Sequence, residues 1–447
     1  MTGPTPRREL MELMELPAVR ALLEEAAGRP VHLVGGVLRD RLLGRETHDL
    51  DAVVAGGGRE LAERLAERLP ARLVLLGGER FAAYRLVTEE ANLDLWDRSA
   101  ASLEEDLARR DFTVNAIALD LASGELVDPF GGFGDLERRL LRATSVGSFG
   151  DDPLRVLRLA RLAAELPGFT AGEDTVTLAR AVAVVLPAMA SERIREELLR
   201  LFAAAGALAG ANLLAATHLY PGLWLGTAGE PAPAARFLAL LQALDEELPR
   251  LLAILGPEAA GTREGPARAG SPEGPDEAPA RLDATSARLA SSFLGLPAAA
   301  DPAASLARFE EVHYLSRNEA GAVRALLASV DPPAGEVGQR RFLNRVGDLW
   351  PTAVAVVSAR CRAEGDPGWL GEPREQLLAL AAREAPAILR PPRLLSGEDV
   401  QALLGLAPGP ALGRALGALR QAQVDGLVTT RQQALRFVRE AQAAAEA

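Results

Sequence analysis

The stretch VGGVLRDRLLGRETHDLDAVV, residues 34–54, decides the fold of this chain. It begins with Val34, the last residue of the apolar run VHLV; the glycines Gly35 and Gly36 follow, and the aspartates Asp49 and Asp51 stand near its end. On a strand the side chains at positions i and i+2 point to the same side, so these two carboxylates face the same way. Neighbouring carboxylates repel each other unless a cation neutralises them, and Mg²⁺ prefers such oxygen ligands. The pattern predicts a magnesium site on a strand; ordinary turn and surface residues are the alternative.

The glycine pair and a third acid extend this prediction. Gly35 and Gly36 can bring backbone N–H groups close to a triphosphate at the start of the next helix. Asp94 lies between two leucines in the strand-like run NLDLWDR. Three acids on neighbouring strands can hold two metals, one for an attacking hydroxyl and one for a leaving diphosphate. We therefore expect Asp49, Asp51 and Asp94 to be the catalytic and metal-binding residues; a solvent-facing acid is the alternative for Asp94.

The composition is that of a globular protein with several domains. The chain has 447 residues, 48% of them apolar and 25% charged, which predicts two to four domains. No apolar run approaches the roughly 20 residues of a membrane span, and the first residues lack the apolar core of a secretory signal. We expect a cytoplasmic protein without membrane contact. The single cysteine, Cys361, and four scattered histidines argue against disulfides and zinc.

The charge distribution leaves room for nucleic acid. A net charge of -12 argues mildly against it. However, every basic side chain is arginine, which suits bidentate pairing with phosphates, and residues 138–161 hold six arginines against two acids. A local basic surface is expected despite the acidic total.

Two parts of the chain differ in character. Up to about residue 140, short β-rich runs mix with helical stretches, and from about 150 onward helical spacing dominates. The segment 256–280 is rich in glycine, proline and acids, which predicts a disordered loop or linker.

The most specific stretch is DLARRDFTVNAIALD, residues 106–120. Together with GGVLRD and HDLD before it, and DPFGGFGDL, DDPLRVLRLARLAAEL and SERIREELLRL after it, it resembles the class II tRNA nucleotidyltransferase and bacterial poly(A) polymerase family. These motifs run in the family's order from residue 31 to about 202. The tail beginning at LLSGEDVQALLGL is similar to the C-terminal helical unit of the tRNA-specific members.

The resemblance implies an α+β fold: a nucleotidyltransferase head with a mixed five-stranded sheet, followed by all-helical neck, body and tail domains. The boundaries that we expect are 1–25 for an N-terminal helical extension, 26–140 for the head with its catalytic palm, 141–205 for the neck with the nucleobase-selecting motif, 206–375 for the body, and 376–447 for a tail that binds tRNA.

The resemblance also implies the site residues. It assigns catalytic metals to Asp49 and Asp51, and it places Arg109, Arg110, Asp111 and Asn115 around the triphosphate and ribose. A surface ion pair for Arg110 and Asp111, and a cap for Asn115, are the alternatives. The further residues expected to bind the nucleotide are Gly35, Gly36, Arg39, Asp106, Asp152, Arg155, Arg158 and Arg161.

The sequence DDPLR, residues 151–155, is expected to carry nucleobase choice. Asp152 can accept from an exocyclic amino group, and Arg155 can donate to a ring nitrogen and carbonyl, which complements cytosine and, after a small shift, adenine. Uracil and guanine present the opposite pattern. The family's usual form begins with Glu where this chain has Asp151. A helix cap at Asp152 with an Asp151–Arg155 pair is the alternative, and both interpretations can hold at once.

One departure from the family bears on the number of nucleotides added. Only residues 99–101 separate LDLWDR from SLEEDLARRDF, whereas members that complete the CCA end usually have a longer segment there, linked to the switch from C to A addition. The short connection resembles enzymes that stop after two cytidines. We expect CMP transfer from CTP, with ATP as the other substrate, to the tRNA 3′ end with release of diphosphate; a complete CCA-adding or A-adding enzyme, then a poly(A) polymerase, and a catalytically inactive RNA-binding relative are the alternatives.

The expected cofactor is Mg²⁺, and the expected partner is tRNA, bound at its acceptor and TΨC arms through phosphates. A second enzyme that adds the terminal A is a further expected partner. The arginines of the neck, with Arg414, Arg420, Arg431 and Arg436 of the tail, are candidates for RNA contact; a solvated face is the alternative.

Overall fold

A computed structural model describes residues 5–76, 83–89, 91–98, 102–186, 192–226, 234–256, 259, 282–297 and 300–446. The connection 99–101 lies outside the described residues, as does the segment 256–280 apart from residues 256 and 259. The chain divides into two compact units, Met1–Leu186 with Asn212–Leu219, and Pro187–Ala211 with Tyr220–Ala447. Within the described ranges, every helix is too short or too polar to cross a membrane.

The first unit contains the strands and nine helices of the described chain. The strands are β1 (Val31–Val34), β2 (Asp49–Val54), β3 (Arg72–Leu76), β4 (Ala83–Val87), β5 (Asn92–Asp97), β6 (Ala118–Asp120), β7 (Leu126–Val127), β8 (Leu140–Leu141) and β9 (Thr170–Ala171). The helices are α1 (Thr5–Met14), α2 (Pro17–Ala26), α3 (Gly36–Leu42), α4 (Gly58–Arg68), α5 (Leu103–Ala108), α6 (Gly132–Glu137), α7 (Ser148–Asp151), α8 (Arg155–Glu165) and α9 (Glu173–Ala183).

In the residues described, the regular secondary structure of the second unit is all helical. Its helices are α10 (Glu192–Ala203), α11 (Ala207–Ala216, which ends in the first unit), α12 (Gly222–Leu225), α13 (Ala235–Leu255), α14 (Ala284–Leu294), α15 (Pro302–His313), α16 (Arg317–Leu327), α17 (Gly335–Val346), α18 (Trp350–Ala363), α19 (Glu372–Leu389), α20 (Gly397–Leu404), α21 (Pro410–Val424) and α22 (Arg431–Glu446).

The main sheet has the order β3-β4-β5-β2-β1-β6-β7. Its β2–β5 pair is parallel and the other pairs are antiparallel, so the sheet is mixed. The predicted class, a mixed-sheet head followed by helices, is therefore confirmed. The number of strands differs, because the described sheet has seven strands instead of five. The last two strands of this order, β6 and β7, have three and two residues, too few for an alternating pattern to show in the sequence.

Strand β2 shows why the acidic residues can stand in a sheet. Leu50 and Ala52 are 1% and 0% exposed, whereas Asp49 is exposed and Asp51 is half-buried. The period of two thus sends the apolar side chains into the core and both carboxylates to the other side. Burial of the apolar neighbours Leu50 and Ala52 stabilises the strand and offsets the cost of placing two charged side chains in it.

The last three helices form a small apolar core of their own. Its buried side chains include Val400 of α20, Leu419 of α21, and Ala434 and Val438 of α22. Arg414, Arg420, Arg431 and Arg436 are exposed on these helices. The compact tail agrees with the helical pattern read from the sequence, while the five domain boundaries stay predictions.

Candidate functional site

The two aspartates of β2 lie at the start of this central strand, next to β5. Asp49 pairs in register with Asn92, and Asp51 with Asp94. The amide of Asn92 donates a hydrogen bond of 3.0 Å from Nδ2 to Oδ1 of Asp49. The parallel pairing of β2 and β5 therefore brings all three predicted acids to one region of the sheet.

Asp94 is engaged by an arginine that lies opposite it on β4. Arg85 and Asp94 are register partners, and Nε and Nη2 of Arg85 donate to Oδ1 and Oδ2 of Asp94, each at 2.7 Å. This is a bidentate, charge-assisted pair, one of the stronger classes of hydrogen bond in proteins. Sequence reasoning missed Arg85, because only the β4–β5 register places it there.

The turn after β1 brings the backbone close to this region. Gly35 has φ of 81°, a conformation that favours glycine. A Cβ at this position would lie 2.8 Å from Nη1 of Arg110 and 3.8 Å from Oδ2 of Asp51. A side chain at Gly35 would displace the guanidinium of Arg110, so the glycine allows backbone, arginine and carboxylate to meet.

The electrostatics of Asp51 are those of a site that needs a cation. Burial raises the pKa of Asp51 to about 6, the charge of Arg110 opposes the rise, and the charges of Asp94 and Asp49 add to it. A divalent ion would relieve this cost, and carboxylates on one side of a strand suit the ligand preferences of Mg²⁺. The residues present therefore fit a divalent metal. No group of three or more His, Cys, Asp or Glu side chains in the described ranges is arranged as a metal cage.

The buried carboxylate of Asp111 stabilises the RRDFTVNA loop, of which it is part, by hydrogen bonds. Its Oδ1 accepts from the backbone N of Phe112 at 2.8 Å and from Nδ2 of Asn115 at 2.9 Å, and its Oδ2 accepts from Nη1 of Arg158 at 3.1 Å. Burial alone would raise the pKa of Asp111, but the charge of Arg158 and the hydrogen bonds from Asn115 and Phe112 lower it below its usual value. Asp111 is a buried anion that orders the loop.

Asn115 links this loop to the helix that follows the glycine turn. Its Oδ1 accepts from Nη1 of Arg39 at 2.8 Å. Arg39 in turn donates from Nε and Nη2 to both oxygens of Asp40, at 3.0 and 2.8 Å. The chain of contacts thus runs from α3 through Asn115 to Asp111, and it joins four residues of the two predicted nucleotide-binding motifs.

The guanidinium of Arg155, on α8, contacts the backbone of the same loop. Its Nη2 donates to the carbonyl O of Arg109 at 2.6 Å, and its Nη1 donates to the O and Oγ of Ser148 at 3.0 and 2.9 Å. Asp152 accepts from the backbone N of Leu154 at 3.2 Å, a local side-chain to backbone contact in the turn before α8. The predicted base-selecting pair therefore has contacts within the protein here, and its role in base choice stays a prediction.

Two arginines of the site each have a buried N–H group without a hydrogen-bond partner among the described residues. The Nε atoms of Arg110 and Arg155 are buried and have no hydrogen-bond partner in the described structure. Buried donors of this kind are normally satisfied. An anionic or carbonyl-bearing ligand is one group that could satisfy them, which agrees with a nucleotide site.

The remaining predicted residues are placed as follows. Nη2 of Arg110 lies 3.6 Å from Oδ2 of Asp106, one turn earlier. Arg161 is 7% exposed and donates to Glu165 on its own helix. Arg109 is exposed. The structure thus brings Asp51, Arg110 and Gly35 together directly, and connects Arg39, Asn115, Asp111 and Arg158 by hydrogen bonds.

A second support of the loop comes from the DPFGGFGDL motif. Asp135 is fully buried and its Oδ2 accepts from Oγ1 of Thr113 at 2.6 Å and from Nε of Arg142 at 2.9 Å. Asp128 accepts from the backbone N atoms of Gly132 and Phe133 at 2.7 and 2.9 Å. Sequence reasoning quoted this motif but did not foresee that Asp135 fixes Thr113; the signal available was an acid between glycine and apolar residues.

Family models match two parts of the chain. Residues 31–142 match the model described as Poly A polymerase head domain, and residues 168–227 match the one described as probable RNA and SrmB-binding site of polymerase A. The first of these ranges contains the glycine turn, the three acids and the RRDFTVNA loop.

Curated relatives match nearly the whole chain. It is 33% identical to the CC-adding tRNA nucleotidyltransferase of Geobacter sulfurreducens, over 95% of this chain and 94% of that protein. It is 34% identical to the A-adding tRNA nucleotidyltransferase of Deinococcus radiodurans, over 91% of this chain and 94% of that protein.

A solved structure shares the fold. The CCA-adding enzyme of Thermotoga maritima, complexed with tRNA, superposes with a TM-score of 0.67 at 22% identity, covering 97% of this chain and 98% of that one.

Proposed function

Because this chain belongs to the tRNA nucleotidyltransferase family and is an enzyme of that class, we propose that it adds CMP from CTP to the 3′ end of tRNA and stops after two cytidines. The family membership is the one that its motifs predict. Diphosphate is the leaving group. The observation that carries the proposal is the close approach of Asp51, Gly35 and Arg110 beside the central strand β2 of the head sheet.

The chemistry is an in-line attack of the tRNA 3′ hydroxyl on the α-phosphate of CTP. Asp49 and Asp51 would hold Mg²⁺, which when bound would lower the pKa of the attacking hydroxyl and neutralise charge on the phosphates. Arg110, beside Asp51 and Gly35, binds the triphosphate, and its unpaired Nε supports this role. The exposed Arg109 is a second phosphate ligand.

The ribose and the base are read by the residues that follow. Asn115, fixed between Arg39 and Asp111, offers its amide to a sugar hydroxyl. Asp152 and Arg155 select the base by their donor and acceptor pattern. Arg155 also holds the backbone of Arg109, so its substitution must be judged by selectivity as well as by rate.

The limit of two cytidines rests on the short connection 99–101. The relatives divide on this point, since one of those similar to this chain is named CC-adding and another A-adding, at nearly equal identity. If the enzyme stops after CC, a second enzyme completes the terminal A. The catalytically inactive alternative is not favoured, because all three acids are present and the glycine turn keeps its close approach.

The tRNA substrate is bound by arginines. Arg414, Arg420, Arg431 and Arg436 are exposed on the last three helices, and we assign them to phosphates of the acceptor and TΨC arms. Arg431 also donates to Asp399 at 2.7 Å, so its share of phosphate binding is expected to be smaller than that of Arg414 and Arg420.

Diphosphate release tests the proposal. The full chain is incubated with Mg²⁺, CTP and a tRNA that ends at its discriminator base, and the Asp49→Ala plus Asp51→Ala variant is run beside it. We expect tRNA-dependent release by the parent and none by the variant. The matched control is Asp120→Ala, an acid on β6 whose Oδ1 accepts from the backbone N of Ala122 at 2.8 Å; it should stay active. Persistent release by the double variant contradicts the metal assignment.

A further inference from the structure

We propose that Arg85 withholds Asp94 from the metal, so that Asp49 and Asp51 are the protein's metal ligands and Asp94 is a positioning residue that holds Arg85 at the site. This inference rests on the proposed function, because it concerns the metal centre of the same reaction. It differs from the sequence expectation, which gave Asp94 a place among the metal ligands.

The geometry of the pair carries the inference. Arg85 on β4 and Asp94 on β5 are directly opposite in the antiparallel register. Both oxygens of the carboxylate accept from the guanidinium, each at 2.7 Å, and the Asp94 side chain is 13% exposed. A planar guanidinium that meets a carboxylate at two points is held in orientation as well as in distance. The two oxygens that would face a metal are therefore both engaged.

The three carboxylates differ in the groups that contact them. Asp49 accepts from the neutral amide of Asn92, and Asp51 faces the carboxylates of Asp49 and Asp94 and the charge of Arg110. A cation can bind Asp49 beside the amide of Asn92, and it relieves the repulsion between Asp51 and the neighbouring carboxylates. At Asp94 it would have to replace Arg85, and a displaced guanidinium beside a divalent ion is repelled by it.

Arg85 also acts on the other two acids. Its charge interacts with Asp49 and Asp51 across the sheet, so it lowers the negative potential that attracts the ion. Removal of Arg85 should consequently strengthen metal binding in two ways, by freeing a third carboxylate and by removing a positive charge.

Mn²⁺ binding to the full chain, followed by the electron paramagnetic resonance of free Mn²⁺ without nucleotide or tRNA, tests the inference. The double variant Arg85→Gln with Asp94→Asn removes the pair as a unit and keeps the net charge. It should bind Mn²⁺ within about 3-fold of the parent, whereas Asp51→Asn should bind at least about 10-fold more weakly. Arg85→Gln alone should bind about 10-fold more tightly.

The outcomes separate the two levels of the account. If the double variant loses affinity as Asp51→Asn does, Asp94 is a ligand and this inference is overturned while the metal site stands. If Asp51→Asn binds as tightly as the parent, the metal site of the proposed function fails. Thermal unfolding checks that each variant is folded; should the double variant not fold, unchanged affinity of Arg85→Gln alone contradicts the inference.

Discussion

Arg158 donates from Nη1 to Oδ2 of Asp111 at 3.1 Å, and this contact fastens helix α8 to the RRDFTVNA loop. The other oxygen of Asp111 accepts from the loop itself, at the backbone N of Phe112 and the amide of Asn115. One buried carboxylate thus orients the residue proposed to meet the ribose, and it requires an arginine from the base-selecting helix to stay charged. The two motifs are connected through this ion.

The first prediction concerns this buried pair. Asp111→Asn removes the charge that Arg158 neutralises and turns one acceptor into a donor, so it should lower the free energy of unfolding by about 2 kcal/mol and slow CMP transfer. Urea denaturation and a transfer assay measure the two effects.

The matched control is the ion pair of Arg59 with Glu63, exposed on α4. Glu63→Gln should change neither quantity measurably, because surface pairs contribute little. Equal effects of the two substitutions would contradict this prediction, because they would show that the contacts of Asp111 contribute no more than a surface ion pair.

The second prediction is a pH dependence caused by Asp51. Its pKa is raised to about 6 from 3.8, so the folded chain holds its proton more tightly than the unfolded chain does. The native state is therefore penalised above pH 6, where Asp51 is charged, and the penalty vanishes below about pH 4.

Asp51→Asn tests this dependence in the absence of metal. In EDTA at pH 8 the variant should unfold with a free energy up to about 3 kcal/mol higher than the parent, and this difference should shrink as the pH falls toward 4. Urea denaturation at several pH values measures it. A difference that stays constant with pH would contradict the assignment, and added Mg²⁺ should stabilise the parent more than the variant.

The third prediction separates base choice from loop support. Arg155→Ala should slow CMP transfer, since Arg155 supports the backbone of Arg109, and should also reduce the preference for CTP over UTP by about 10-fold or more. Competition between the two nucleotides measures the preference.

Ser148→Ala serves as its control. It removes the hydroxyl that accepts from Arg155 at 2.9 Å but keeps the proposed base reader. A slower enzyme with unchanged preference is expected. If Arg155→Ala rejects UTP as well as the parent does, Arg155 supports the loop and does not read the base.

The fourth prediction concerns the stability of the helical unit. Glu247 of α13 is fully buried and accepts from Arg250 at 2.8 Å, from Arg374 at 2.8 Å and from Arg362. Glu247→Gln leaves three arginines without their anion, which should lower the free energy of unfolding by about 3 kcal/mol. Calorimetry or urea denaturation measures the loss.

The control for this variant is Glu372→Gln, at the start of α19, whose carboxylate accepts from the exposed Gln376. It should leave stability close to that of the parent. A Glu247→Gln variant as stable as this control would show that the three arginines are satisfied by solvent.

What the sequence predicted and what it missed follow from the range of each interaction. The side on which Asp49 and Asp51 lie is a local property of β2, because the strand period alone sets it. The pairing of Arg85 with Asp94 depends on which strands are neighbours and on their register. The alternation of side chains along a single strand does not specify either of these. The same holds for Asp135, whose partner Thr113 is 22 residues away in the chain.

The resemblance to a family carried the sequence analysis further than the pattern did. It identified the RRDFTVNA loop and α8 as parts of one site, and the hydrogen bonds of Asp111 with Arg158 and of Arg155 with Arg109 connect them. It assigned Asp111 to the nucleotide site, which stays a prediction; in the structure both oxygens of Asp111 are bound within the protein. Motifs mark which residues matter, but their partners decide whether a side chain faces the ligand or holds a neighbour that does.

Single-nucleotide gel analysis tests the central claim most directly. A tRNA that ends at its discriminator base is incubated with Mg²⁺ and the full chain in the presence of CTP, ATP or both. The account predicts two added cytidines with CTP and no adenosine even when ATP is present. Products that end in CCA would contradict it, because they would show that the short connection 99–101 permits the switch from C to A.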